Sequence, residues 1–303
     1  MTDKSRRAET EAYWADGVTG TGPRKPDHPC ASDTRTTTQI IAAYCASQNN
    51  DDATNSLLTV HYRGGQEEFQ SGKKLLASAD ARERAVGADV LAQLGWGDQT
   101  FLDESVDVLL AALTDPQDSV VESVIYALGH RGSSRAIDAL LPFANHPSAG
   151  VRYATVHGLM PHDTPRVVKA MINLSRDSDP DVRNWATFTL ASQFESDSPS
   201  LRSALEERLG ESDAEIRGEA LLGLARRRHA GIAPQILREL RGDFHGDLAV
   251  EAASVLGDAQ FIPALRELEG WIAGENAVYF LGSVQAAIAA CEGRLSDENS
   301  TLQ

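Results

Sequence analysis

The stretch Ser175–Leu190, SRDSDPDVRNWATFTL, returns in weaker copies along most of the chain, and that recurrence limits the possible folds more than any other feature. It has the form of a turn entering a helix. Asp177, Ser178 and Asp179 can accept hydrogen bonds from the free N–H groups of a first helical turn, Pro180 is pre-set for that turn, and acidic groups there suit the helix dipole. Val182, Ala186 and Leu190 then stand four apart on one apolar face. With Val182 as position zero, the pattern recurs at Ile216–Leu224, Val151–Leu159 and Val120–Leu128. Fainter versions occupy Leu248–Leu256, Glu83–Leu91, Phe280–Ile288 and Asp52–Val60. The position-eight anchors are Val60, Leu91, Leu128, Leu159, Leu190, Leu224, Leu256 and Ile288, separated by 31, 37, 31, 31, 34, 32 and 32 residues. A period in that range specifies stacked helix pairs, each packing only on its neighbours. The pattern therefore predicts an all-α fold, an α-α superhelix of about eight antiparallel helix pairs.

The array is expected over residues 35–292, after an N-terminal arm at 1–34 and before a polar tail at 293–303. The arm is rich in Gly, Pro and polar groups and has no helical periodicity, apart from the aromatic pair Tyr13 and Trp14. Thr36–Gln48 and the helix after the turn at Asn49–Asp52 form a capping pair. Later first helices are predicted at Gln66–Ser78, Ser105–Thr114, Arg135–Asn145, Pro165–Arg176, Pro199–Leu209, Ala233–Leu240 and Pro263–Ala273. Thr164 and Ser198 stand where N-caps belong, whereas Pro142 lies inside its helix and should bend it by removing a backbone donor. The long interval of 37 comes from Gly95–Glu104, with Trp96 and Phe101 expected to fold back onto the helices.

The signature D-x-D-x-x-V-R-x-x-A-x-x-x-L, whole at Asp177–Leu190, resembles HEAT repeats of the phycobilisome-lyase-like subclass, over roughly residues 36–292. The resemblance implies a solenoid whose second helices line a concave face. It also implies a ladder of Arg and acidic side chains from repeat to repeat. Position one holds Arg84, Arg152, Arg183 and Arg217, and five residues before position zero stand Asp115, His146, Asp177, Glu211 and Asp243. A guanidinium fork suits a ladder because it donates to several acceptors at once. Val121 and Ala249 replace the Arg and should break it.

Positions four and seven are small or β-branched, which lets neighbouring helices approach. Positions three, six and ten form another stripe, whose chemistry changes from repeat to repeat as a recognition wall requires. Its middle part holds Tyr126, His130, His157, Trp185 and Phe188 side by side, flanked by Glu219 and Arg226. These are the candidate binding residues, since aromatic and Arg side chains anchor protein interfaces. The competing reading makes Trp185 and Phe188 core residues that cover seams between repeats.

Composition narrows the function further. Three widely spaced cysteines, Cys30, Cys45 and Cys291, form no disulfide frame or zinc knuckle. The longest apolar runs are far short of a bilayer span and the first ten residues lack the apolar core of a signal peptide, so a cytoplasmic protein is expected. A net charge of −16 repels phosphate backbones and favours a basic partner. The eight histidines are never followed by Glu, which excludes the di-iron chemistry of deoxyhypusine hydroxylases among HEAT-like enzymes. Glu219, Glu251 and Asp89 on the wall oppose a glycosylase-like DNA groove. The run Arg226–Arg227–Arg228–His229 is read as a solvated helix end. No motif calls for a cofactor, a metal or catalysis. The expected function is a non-enzymatic scaffold that binds a protein or peptide, basic or helical, on the inner face. A chromophore lyase or assembly chaperone related to the phycobilin lyases is the alternative.

Overall fold

The computed structural model of the protein describes residues 28–46, 50–242, 247–275 and 278–301. Among them are sixteen α-helices and no strands. In chain order these are α1 (Thr37–Ala46), α2 (Asn50–Arg63), α3 (Gln66–Leu76), α4 (Ala81–Ala92), α5 (Leu102–Ala112), α6 (Asp118–Arg131), α7 (Ile137–Leu140) and α8 (Ala149–Leu159). Then come α9 (Pro165–Leu174), α10 (Pro180–Phe188), α11 (Pro199–Arg208), α12 (Ala214–Arg226), α13 (Ala233–Leu240), α14 (Asp247–Leu256), α15 (Ile262–Glu275) and α16 (Val278–Thr301). Odd-numbered helices are the first, and even-numbered the second, of eight pairs.

The helices begin where the local chemistry dictates. Asp80, Asp179 and Asp213 accept from the second and third N–H groups of α4, α10 and α12. Thr164 caps α9 through the N–H of Val167, and Ser198 caps α11 through that of Leu201. Pro142 acts as its position predicts: α7 is a single turn, replaced from Leu141 to Asn145 by a 3-10 segment in which the missing N–H leaves no orphan. The end of α10 also departs from α geometry, through a π-turn at Thr189–Gln193 closed by the N–H of Phe194 on the carbonyl of Thr189.

The described residues form two compact units, one ending at His162 and the other starting at Asp163. In the first, α4 packs on α3 and α6, and α6 on α8. In the second, α12 packs on α10 and α14, and α14 on α16. Second helices lie close together within each unit while first helices touch one another sparingly, so the second-helix layer is the inner side of each. Seven of the eight position-eight anchors are buried, from Val60 through Leu91, Leu128, Leu159, Leu190 and Leu224 to Ile288; Leu256 is half-buried. Each buried leucine contributes about 1.5–3 kcal/mol.

The close approach has a specific cause. A Cβ on Gly129 would lie 2.9 Å from the Cα of Gly158, and one on Gly223 would lie 2.7 Å from the Cα of Ala191. Position nine of one repeat thus meets position seven of the next, a pairing that the reading of positions four and seven did not contain.

The two ends differ from the expected boundaries. Residues 28–34, assigned to the arm, include a 3-10 turn at Pro29–Ser32 and are tied to α2 by Arg63, which donates to the carbonyl of Asp33 at 2.7 Å. At the other end α16 continues through the expected tail to Thr301. Tyr13 and Trp14 lie outside the described residues. The insertion folds back as expected: Gly95 N–H donates to His61 O, Thr100 Oγ1 to Gly64 O, and Phe101 stacks on Phe69 at 4.7 Å.

Candidate functional site

The inner side of the first unit carries a continuous polar and aromatic wall. Tyr44 of α1 donates its hydroxyl to Asp89 Oδ2 of α4 at 2.9 Å, and the Ser123 hydroxyl of α6 also holds that carboxylate. Beneath it, His61 of α2 meets the main-chain carbonyl of Asp89 at 2.7 Å. Just past the end of α4, Gln93 donates to Nδ1 of His130 on α6 at 3.2 Å. The wall ends in a ring cluster, with the His157 imidazole of α8 5.3 Å from Tyr126 and edge-on to Tyr153 at 4.8 Å.

Asp89, Ser123, Tyr126, His130, Tyr153 and His157 are all half-buried, open to a partner yet fixed by their neighbours. Position three of the stripe varies: Val86 and Ala154 are buried in the core, whereas Ser123 and Trp185 are half-buried.

Burial sets the electrostatics of this wall. It pushes His61 down to about 3 and His130 and His157 to about 4, with Arg131 adding repulsion at His130 and His130 at His157. It also raises the Tyr126 phenol and the Asp89 carboxyl. At neutral pH the imidazoles are uncharged, so the wall offers rings and hydrogen-bonding groups without a cationic shell to strip.

The second unit holds the other candidates. Trp185 and Phe188, one turn apart on α10, meet edge-to-face at 5.4 Å and are both half-buried. Glu219, expected on the wall, is instead buried at 3% exposure and accepts from Ser192 Oγ at 3.2 Å. Arg226, exposed at the end of α12, reaches Glu251 of α14 at 3.0 Å and the carbonyl of Ser192, in the π-turn after α10, at 3.2 Å.

Of the ladder residues, the structure brings together Arg84 with Asp115, two bonds at 2.6 and 3.0 Å, and Arg183 with Glu211 at 3.6 Å. Arg217 pairs with Glu239 at 3.1 Å, whereas Asp243 lies outside the described residues. Each position-one Arg also makes one recurrent local contact. Its Nη1 donates to the carbonyls six and five residues earlier: Ser78 and Ala79 for Arg84, His146 and Pro147 for Arg152, Asp177 and Ser178 for Arg183, Glu211 and Ser212 for Arg217. The Asp115 and Asp177 carboxylates each accept from the N–H two residues on, so the same pair of columns also shapes the turn.

Two arginines outside these columns form a second device. Arg131, 2% exposed, donates to the carbonyls of Leu91, Leu94 and Thr100 and to Ser105 Oγ. Arg227 donates to the carbonyls of Leu190, Ala191, Phe194, Ser196 and Gly223. Both stand at position eleven, and both close the end of the second helix before their own. The run at 226–229 is a solvated helix end only in part: Arg226 and Arg228 are exposed, His229 contacts Glu206 at 2.9 Å, and Arg227 alone is turned inward.

A chain of helix pairs with buried position-eight anchors, Asp-capped second helices and inter-repeat Arg contacts is an α-helical repeat protein. It belongs to the HEAT-repeat family, whose model matches residues 72–160, 137–225 and 168–257. Among curated relatives it is similar to protein YibA of Escherichia coli strain K12, 25% identical over 223 residues that cover 70% of this chain and 77% of that one. The X-ray structure of Escherichia coli YibA matches with a TM-score of 0.66 at 22% identity, over 93% of this chain and 97% of that one. An engineered protein matches with a TM-score of 0.51 at 15% identity, over 94% and 85%. These structural likenesses establish the fold. No helix among the described residues is long and apolar enough to cross a membrane.

Proposed function

We propose that the chain is a non-enzymatic scaffold that grips a protein or peptide partner with its second-helix layers. The ring cluster of Tyr126, Tyr153 and His157 carries this reading, because its half-buried rings offer contact area with few rotatable bonds to immobilise. Trp185 and Phe188 supply a second patch of the same kind. The net charge of −16 supports a basic or helical partner, through faster encounter and rejection of acidic competitors. Glu219, being buried, positions its wall from within, whereas Arg226 is exposed beside Glu251 and stays open to a partner.

Affinity capture from the native extract tests this with two double variants, Tyr126→Ala with His157→Ala, and Trp185→Ala with Phe188→Ala. At least one pair should lose the captured partner while helical circular dichroism stays nearly unchanged. A loss of helicity would make the rings core residues, and undiminished capture by both variants would end the reading.

A further inference from the structure

Residues 28–36 precede α1 and belong to no helix pair, yet His28 is packed against two rings of the array. Its imidazole stacks on Tyr62 of α2 at 5.4 Å and 19°, and meets Trp96 of the insertion edge-on at 4.8 Å and 81°. Tyr62 and Trp96 stand at 84° to one another, 5.4 Å apart, so they form a corner that His28 fills. Beside it, Arg63 Nη2 donates to the main-chain carbonyls of Asp33 and Arg35, both at 2.7 Å. One ring in an aromatic corner, followed by Pro29 and by carbonyls read by a guanidinium, is how a surface holds a short linear segment.

Two features show that this corner is built for more than its present occupant. Trp96 sits at φ 49°, with Gln99 at 45° and Phe101 at 53°, a left-handed run of side chains that costs energy and is kept where it aims a group. The buried Trp96 indole N–H has no acceptor among the described residues, so His28 leaves a hydrogen bond unmade. The occupant is also lightly held: none of the residues in its 3-10 turn is buried.

We infer that the Tyr62–Trp96 corner is a docking site for a partner segment with an aromatic or imidazole ring followed by main-chain carbonyls within reach of Arg63, and that His28 and the turn after it occupy the site in cis. A ligand that also presents a carbonyl or carboxylate to the Trp96 indole outcompetes the chain's own segment. The Tyr62–Trp96 corner carries this inference, not the ring cluster of Tyr126, Tyr153 and His157.

The test uses the full-length chain labelled with 5-fluorotryptophan, the Trp96 resonance being assigned with Trp96→Phe. His28→Ala should move that resonance and leave helical circular dichroism unchanged. The synthetic peptide PDHPCASDTRT, residues 26–36, should then restore it saturably, whereas the peptide carrying His28→Ala should not. The wild-type chain, with its corner filled, should need at least tenfold more peptide. A Trp96 resonance indifferent to His28→Ala, or no restoration at millimolar peptide, would overturn the proposal. So would restoration only through a dimer that exchanges residues 28–36 between copies, which light scattering detects. Arg63→Gln gives a second variant, expected to weaken peptide binding about tenfold if the guanidinium reads the carbonyls.

Discussion

Arg131 donates its Nε to the main-chain carbonyl of Leu91 at 2.7 Å across 40 residues, and Arg227 makes the matching contact to Leu190 at 2.8 Å across 37. Each links position eleven of one repeat to position eight of the repeat before. A helix leaves its last carbonyls without partners, and a buried end must find donors elsewhere. Here one guanidinium serves several.

Arg131→Met keeps the bulk and removes the donors, leaving the carbonyls of Leu91, Leu94 and Thr100 unmet inside the unit. The expected loss is about 3 kcal/mol. It should appear as a lower urea midpoint, while Arg228→Met, at an exposed position, should shift it by less than about 0.5 kcal/mol.

Acid should weaken the first unit before carboxylate protonation does. The folded state holds His61 at about 3 and His130 and His157 at about 4, below the ordinary histidine value of 6.5. Between pH 6.5 and 4 the unfolded chain therefore binds more protons, and stability falls as pH falls, by up to about 3 kcal/mol per imidazole. Asp89 and Glu122, their carboxyls raised by burial, give the opposite slope, as two groups against four imidazoles once His162, also lowered by burial, is counted. Urea midpoints at pH 7, 5.5 and 4.5 should decline in order, and His157→Phe should flatten the decline. A flat profile in the parent chain would contradict the assignment.

Gly129→Ala forces a methyl to 2.9 Å from both the Cα of Gly158 and the carbonyl O of His157, backbone atoms that cannot turn aside. It should cost about 1–3 kcal/mol. Gly270→Ala, in open space on α15, should instead stabilise by about 0.5–1 kcal/mol. Thermal denaturation of both variants checks the contrast in sign.

Asp179→Ala removes the acceptor for the N–H groups of Asp181 and Val182 at the head of α10. A loss of about 1 kcal/mol is expected, with Asp179→Asn recovering most of it. Equal losses for the two substitutions would point to charge rather than capping.

Much of this was legible because it is local. Asp179 before Pro180, Ser198 before Pro199, and Pro142 inside a helix each act through neighbours a few residues away, and each stands in the structure as its chemistry requires. The Arg131 and Arg227 contacts were not, since they cross some forty residues and their column holds Leu94, His162, Gln193 and Ala259 in other repeats. Glu219 was misplaced for a related reason. Position three points toward the wall in an ideal helix, yet the neighbouring repeat decides its burial: Val86, Ala154 and Glu219 are buried, Ser123 and Trp185 half-buried and Glu251 exposed. The ring cluster at Tyr126 and His157 lay within reach of periodicity, and Tyr153, at position two, joins it because it stands one turn before His157 on the same helix.

Because the guanidinium always comes from the later repeat, the helix end it closes leaves the ribosome first. Leu91 must wait for Arg131, 40 residues on, or about 2–8 s at ordinary rates of synthesis. During that interval the nascent α4 keeps a hydrated, fraying end. The two repeats that end at Leu91 and Leu190 are thus locked from behind by their successors as the chain grows.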